Sequence, residues 1–223
     1  MFFSGSMLAT STRSSILWIV ALTGPNSTTC GQIFAMKRPD AEDESPASGE
    51  TITADVLISG GEVFDGSGSS PVMADVAIAG ERIVFVGDSG NANIDAAAVI
   101  DASGLWVTPG FIDAHSHAVL DEDYGRDAIP YLYQGITTVV LGMDGGGTSD
   151  VRDRLEHWRS NGIGTNGIHF VGHGHIRDAV LGSEDRAPTA DELEQMKALV
   201  RKGMDEGAFG LSTGLFYVPG TYA

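Results

Sequence analysis

The sequence predicts an α/β protein, in which a partial (β/α)8 TIM-type barrel of about four βα units follows a small β-sandwich domain. Between residues 55 and 105, short β-branched runs are separated by Gly and Asp turns, a pattern typical of β-hairpins. After Pro109-Gly110, strand-like runs alternate with helix-like runs, as in βα units around a parallel sheet. The 223 residues, 42% of them hydrophobic, are enough to form a globular core.

Charge and cysteine content argue against certain partners and against a disulfide-stabilised fold. The formal net charge of −17 argues against nucleic acid or an anionic membrane surface as a partner. The single cysteine, Cys30, rules out an internal disulfide framework.

The N-terminal segment, residues 1–36, is predicted to be signal-like or disordered. It contains Arg13, an apolar run at residues 16–22 and then small polar residues, which is the outline of a secretory signal. We therefore predict export, to the periplasm or out of the cell. The alternative is a cytoplasmic protein with an N-terminal extension, for which Met7 is a second candidate start. The apolar run is too short to remain as a transmembrane span in the mature protein.

Residues 37–54 are rich in acidic residues and contain Pro39 and Pro46, so they are expected to form a linker. The next segment, 55–107, is predicted to be the small β-sandwich. It looks too small to be stable alone, and we expect it to pack on the segment that follows.

The remaining segment, 108–223, is predicted to be the N-terminal half of the barrel. A capping box formed by Thr189 and Glu192 indicates where its longest helix begins. The predicted strands cover residues 110–114, 137–141, 168–171 and 208–211, and the predicted helices cover 127–134, 150–161 and 190–205.

The strongest functional motif is the pair His115 and His117 at the end of the first barrel strand. Residues at i and i+2 of an extended strand point to the same side, so both imidazoles can bind one ion. Active sites of such barrels lie at the carboxyl ends of the strands, and imidazole suits zinc. A His-x-His pair is a common motif, and the alternative is two surface histidines without a function.

Five stretches of the sequence resemble a known family. The stretches 55–68 and 107–117 are similar to the amidohydrolase superfamily. The stretches 134–142, 171–177 and 206–223, the last with Gly-Leu-Ser-Thr-Gly-Leu-Phe-Tyr-Val-Pro-Gly, resemble the N-acyl-D-amino-acid deacylases (D-aminoacylases). The resemblance runs from about residue 55 to the last residue.

This resemblance implies a zinc site, with one or two ions, that includes His115 and His117. Familiar members have a metal-binding cysteine in a Gly-Asn-Cys-Gly setting after the second strand, where this chain has Gly142-Met143-Asp144-Gly145. We therefore expect Asp144 to ligate or bridge metal, since carboxylate also binds zinc. The alternative is an aspartate that serves only the turn before the glycines.

Further residues match positions near the substrate. Tyr217 matches a tyrosine that contacts substrate in the family, or it packs within its loop. His173 and His175 follow the third strand and are expected to face the barrel mouth, where with Arg177 they could contact a substrate carboxylate, since Arg forms bidentate pairs with carboxylates. Alternatively, these residues hold the site residues in place without touching substrate, or are solvated in a loop.

The implied reaction is metal-dependent hydrolysis of the amide bond of N-acyl-D-amino acids, which are small-molecule substrates. The family's general base and further histidine ligands come after later strands, so we expect them beyond Ala223 and expect this chain to be truncated and inactive alone. Alternatives are another amidohydrolase, such as a dipeptidase or cyclic-amide hydrolase, or a non-catalytic metal-binding fragment.

Overall fold

The structure, a computed structural model, describes residues 17–23, 33–37 and 51–222. The chain divides into two compact units. The β-domain contains the described residues up to 111 together with residues 130–137, and the barrel unit contains residues 112–129 and 138–222. Residues 1–16, 24–32 and 38–50, which include Arg13 and most of the predicted linker, lie outside the described residues, whereas the apolar run of the predicted signal falls almost entirely within residues 17–23.

The β-domain is built from seven strands in one mixed sheet. The strands are β1 (Leu17–Thr23), β2 (Ile33–Lys37), β3 (Thr51–Val63), β4 (Val72–Ala79), β5 (Arg82–Gly87), β6 (Asn93–Asp101) and β7 (Trp106–Thr108). Their order is β4-β5-β2-β1-β7-β3-β6, and β4 also pairs with β3. The predicted sandwich requires two facing sheets, so it stays a prediction.

The long strand β3 organises this sheet. It pairs antiparallel with β4 and parallel with both β6 and β7. It begins at Thr51, inside the segment that the sequence predicts to be linker. Alternating side chains of β3 and β4 point inward, because successive residues of a strand face opposite sides. The buried cluster consists of Ile58, Val76, Ile78, Ala102 and Val107.

The barrel sheet has four strands in sequence order, as expected for consecutive βα units. They are β8 (Phe111–Asp113), β9 (Ile136–Leu141), β10 (Asn166–Gly172) and β11 (Gly210–Ser212). The pairs β9–β10 and β10–β11 are parallel. The α/β class and the partial barrel are thus confirmed.

Four helices accompany these strands: α1 (Ile129–Leu132), α2 (Val151–Asn161), α3 (His173–Leu181) and α4 (Ala190–Asp205). The apolar faces of α2, α3 and α4 form one cluster with β10, made of Val151, Val171, Ile176, Leu181, Met196 and Ala208. Helix α4 has the predicted bounds and the predicted capping box. In the part of the chain that the structure describes, none of the helices has the length and apolar character needed to cross a bilayer.

Candidate metal centre

The two histidines of the motif lie directly after β8, and a buried serine separates them. The Ser116 amide donates to the Val140 carbonyl at 2.9 Å, which ties this segment to β9. Ser116 itself is buried, whereas the side chains of His115 and His117 are 53% and 70% exposed. The backbone bends at residues 114 and 115, directly after β8, and both imidazoles lie on the exposed side of this segment.

Asp144 lies in the loop that follows β9. Its φ is +56°, in the left-handed region where Asp and Asn are tolerated better than other side chains. The Gly146 amide donates to the Met143 carbonyl at 3.0 Å and closes a tight turn around Asp144. This local conformation points the carboxylate towards the end of β8.

The three predicted ligands converge. Asp144 Oδ2 lies 3.1 Å from His115 Nε2 and 3.3 Å from His117 Nε2, and one ligand atom from each residue can be chosen so that all lie within 4.8 Å of one another. Ligands at about 2 Å from a tetrahedral zinc are roughly 3.3 Å apart, so the donor types and the two distances to Asp144 suit zinc. An exposed His-carboxylate pair contributes little stability by itself.

A cavity of about 630 Å³ opens beside these ligands. Apart from the ligands, the polar side chains that line the cavity come from α3, from Ser183 after α3 and from the segment after β11. At several glycines, the backbone itself lines the cavity. The cavity is lined by His117, Met143, Asp144, Gly145, Gly146, Gly174, His175, Asp178, Ser183, Gly214, Tyr217, Val218 and Pro219.

Of the residues predicted to contact substrate, Tyr217 lines this cavity, and its side chain is 53% exposed. His173 and His175 lie in the first turn of α3, where residues two apart point in different directions. His175 is therefore the one that lines the cavity, while His173 Nδ1 lies 3.3 Å from Thr213 Oγ1. Burial, together with the nearby Arg177 charge, lowers the pKa of His173 and favours its neutral form.

Arg177 differs from the prediction and needs a correction. Its side chain is 1% exposed, and its guanidinium donates to the carbonyls of Glu184 at 3.0 Å and Arg186 at 2.6 Å. These bonds hold the loop after α3 and leave the guanidinium within the protein. The geometry thus argues against direct contact between Arg177 and a substrate carboxylate, and favours the supporting role.

The sequence interpretation overlooked Asp178 and Ser183 because it did not identify α3. The glycines at 172 and 174 suggested a loop, although Ile176 and Val180 have helical i, i+4 spacing. A helix starting at residue 173 would have placed residue 178 on the side of His175 and Gly174.

Comparison with known proteins identifies relatives of this chain. The chain is 36% identical over 195 residues to the D-aminoacylase of Alcaligenes xylosoxydans xylosoxydans, which covers 76% of this chain and 39% of that enzyme. It is also similar to the crystal structure of a D-aminoacylase that is described as defining a novel subset of amidohydrolases. The TM-score is 0.69 and the identity is 35%, over 76% of this chain and 40% of that one. No family model matches the chain.

The crystal structure of a third relative contains bound ligands. This is the N-acyl-D-glutamate deacylase of Bordetella bronchiseptica, whose crystal structure contains zinc and a phosphonate inhibitor that mimics the tetrahedral intermediate. The TM-score is 0.70 at 32% identity, over 77% of this chain and 40% of that one.

The fold and these matches define an amidohydrolase-type β/α protein. Over the matched residues, the chain belongs to the N-acyl-D-amino-acid deacylase family. It spans about two fifths of the length of these relatives, 39% and 40% in the cases above.

Proposed function

We propose that this chain provides the metal-binding part of an enzyme that hydrolyses the amide bond of N-acyl-D-amino acids. The observation that carries the proposal is the convergence of His115, His117 and Asp144 beside a cavity large enough for a small acylated amino acid. The zinc and phosphonate in the related N-acyl-D-glutamate deacylase support the same chemistry.

We expect zinc, as one or two ions, to be held by His115, His117 and Asp144. The neutral imidazoles and the carboxylate match its preferred ligands. When bound, zinc supplies a Lewis acid that polarises an acyl carbonyl and increases the acidity of water. Asp144 adds a negative charge at the position where the familiar members have cysteine.

The other cavity residues would bind and orient the substrate. The exposed Tyr217 can donate a hydrogen bond from its phenol to a substrate oxygen, and His175 offers a second polar contact. For His173, we propose a supporting role through Thr213 in addition to the predicted substrate contact. Ordering a small polar substrate in this way contributes to the rate by fixing the scissile amide.

The proposal is tested with the zinc-loaded enzyme that contains this segment, assayed on N-acetyl-D-amino acids and on their L enantiomers. We expect hydrolysis of the D substrates, and a loss of turnover of at least about 1000-fold in His115→Ala and His117→Ala. His157→Ala on α2, away from the cavity, is the matched histidine control. Unchanged turnover in both ligand variants, or turnover only of dipeptides or cyclic amides, would contradict the proposal.

We also propose that the protein is exported, which rests on Arg13 and the apolar run at residues 16–22. N-terminal sequencing of the protein purified from its native cells is the test. A mature N-terminus after the apolar run supports export, whereas one at Met1 or Met7 contradicts it.

A further inference from the structure

Ser212 lies at the end of β11 and contacts the loop that carries Asp144. Its side chain is buried, and its hydroxyl accepts a hydrogen bond from the Gly145 amide at 3.1 Å. The same hydroxyl donates to the Gly142 carbonyl. These two backbone groups flank Met143 and Asp144, so one side chain holds both ends of the short segment that contains the carboxylate.

The residue type is suited to this task. A hydroxyl donates one hydrogen bond and accepts others at the same time, whereas alanine or valine can do neither. Without the hydroxyl, a buried amide and a partly buried carbonyl would lose this partner, and the loop would have to move to satisfy them. Because Asp144 has a φ of +56°, its conformation depends on such support from its neighbours.

Besides the Gly146-to-Met143 bond that closes the turn around Asp144, two backbone bonds hold other residues of the loop. The Gly145 carbonyl accepts from the His175 amide at 3.0 Å, and the Gly147 carbonyl accepts from the Gly172 amide at 2.7 Å. These bonds fix the far side of the loop to β10 and α3.

We propose that Ser212 is a positioning residue that holds the loop 142–147 so that the Asp144 carboxylate faces His115 and His117. The inference rests on the proposed metal site. Residues behind metal ligands often change metal affinity about 10- to 100-fold when they are replaced, because they fix the orientation of the ligand.

The test uses Ser212→Thr and Ser212→Val in the 223-residue chain, because these side chains have nearly the same shape and differ in the hydroxyl. Co²⁺ affinity is measured by calorimetry, and the visible Co²⁺ spectrum reports the ligand geometry. We expect the Thr variant to bind like the wild type, and the Val variant to bind about 10- to 100-fold more weakly with an altered spectrum. Circular dichroism checks that both variants are folded.

Ser149→Ala is the matched control, since Ser149 is equally buried but lies outside the loop. Equal Co²⁺ affinity and spectra in the Thr and Val variants would overturn the role of Ser212 alone. The same weakening in Ser149→Ala would also overturn it, because loosening of the fold would then explain the loss. If the wild type binds no Co²⁺, both the proposed function and this inference fall.

Discussion

The turns of the β-domain and the loop that carries Asp144 are held in different ways. In the β-domain, aspartate carboxylates accept hydrogen bonds from turn amides, at Asp55, Asp65, Asp75, Asp88 and Asp101. In the barrel unit, the loop 142–147 is held by backbone groups of its neighbours and by Ser212. One region depends on charged side chains, and the other depends on close backbone packing.

The glycines of the two regions reflect the same difference. A Cβ added at Gly80, in the turn between β4 and β5, would meet no atom within 4 Å, so this glycine serves only its φ of +56°. A Cβ added at Gly147 would lie 1.8 Å from the Phe170 carbonyl oxygen. The candidate site is therefore built where strand ends and loops approach too closely for any side chain.

The largest effect that follows from this difference is expected for Gly147→Ala. The added methyl must displace β10 or the loop, and we expect a loss of about 3 kcal/mol in the unfolding free energy together with weaker metal binding. Hydrogen exchange, read separately for peptides of each unit, measures the change. Gly80→Ala is the matched control, with an expected loss of about 1 kcal/mol from its backbone conformation alone. Equal losses in the two variants would remove the proposed contrast.

A smaller effect is expected for Asp75→Ala in the β-domain. Asp75 accepts from the Gly60 amide at 2.7 Å and from the amide and hydroxyl of Ser89, so we expect a loss of about 2 kcal/mol. Urea unfolding measures this loss. Asp95→Ala, on the exposed side of β6, is the control and should change stability by less than about 0.5 kcal/mol.

Lowering the pH should increase the difference between the two regions, because the stability that Asp75 contributes to the β-domain depends on its negative charge. Burial alone would raise the pKa of Asp75, but hydrogen bonds from Ser89 and Gly60 outweigh it and hold the pKa below its ordinary value. The contribution is present above the unfolded pKa of about 3.9 and is lost as the pH falls through the folded pKa. A difference between the wild type and Asp75→Ala that does not shrink as the pH falls below about 3.9 would contradict this.

The smallest effect is expected for His169 in the barrel unit. Its Nε2 lies 3.1 Å from the Thr148 carbonyl, its Nδ1 has no partner among the described residues, and burial lowers its pKa. The folded protein therefore favours the neutral ring, and stability should fall as the pH drops below about 6.5. His169→Gln should flatten this dependence in thermal unfolding between pH 7 and 5, while His157→Gln should not. An unchanged pH dependence in His169→Gln would contradict the expectation.

The fold was largely predictable where the pattern is local. Helix α4 has a capping box and a clear apolar face, and the strands end at Gly and Asp turns. Helix α3 could not be recognised because Gly172, directly before it, and Gly174, in its first turn, resemble a turn, although both are needed for close contact with the loop 142–147.

The residue types of the candidate site could be predicted from the sequence, but the contacts that hold those residues in place could not. The i, i+2 spacing of His115 and His117 is a local signal, and the resemblance drew attention to Asp144. The bonds from Ser212 to Gly142 and Gly145 join positions about 70 residues apart in the chain, and no periodicity reveals such a contact. The burial of Arg177 has another cause, since among the described residues its guanidinium bonds reach only to Glu184 and Arg186, in the loop after a helix that the sequence interpretation did not identify.

The most direct test of the metal centre is a zinc titration by calorimetry of the wild-type chain and of a variant with His115, His117 and Asp144 all replaced by alanine. We expect the wild type to bind zinc at least about 100-fold more tightly than the variant, because the three side chains supply the described ligands. Equal binding by the two folded proteins, or no binding by the wild type, would contradict the proposed metal centre.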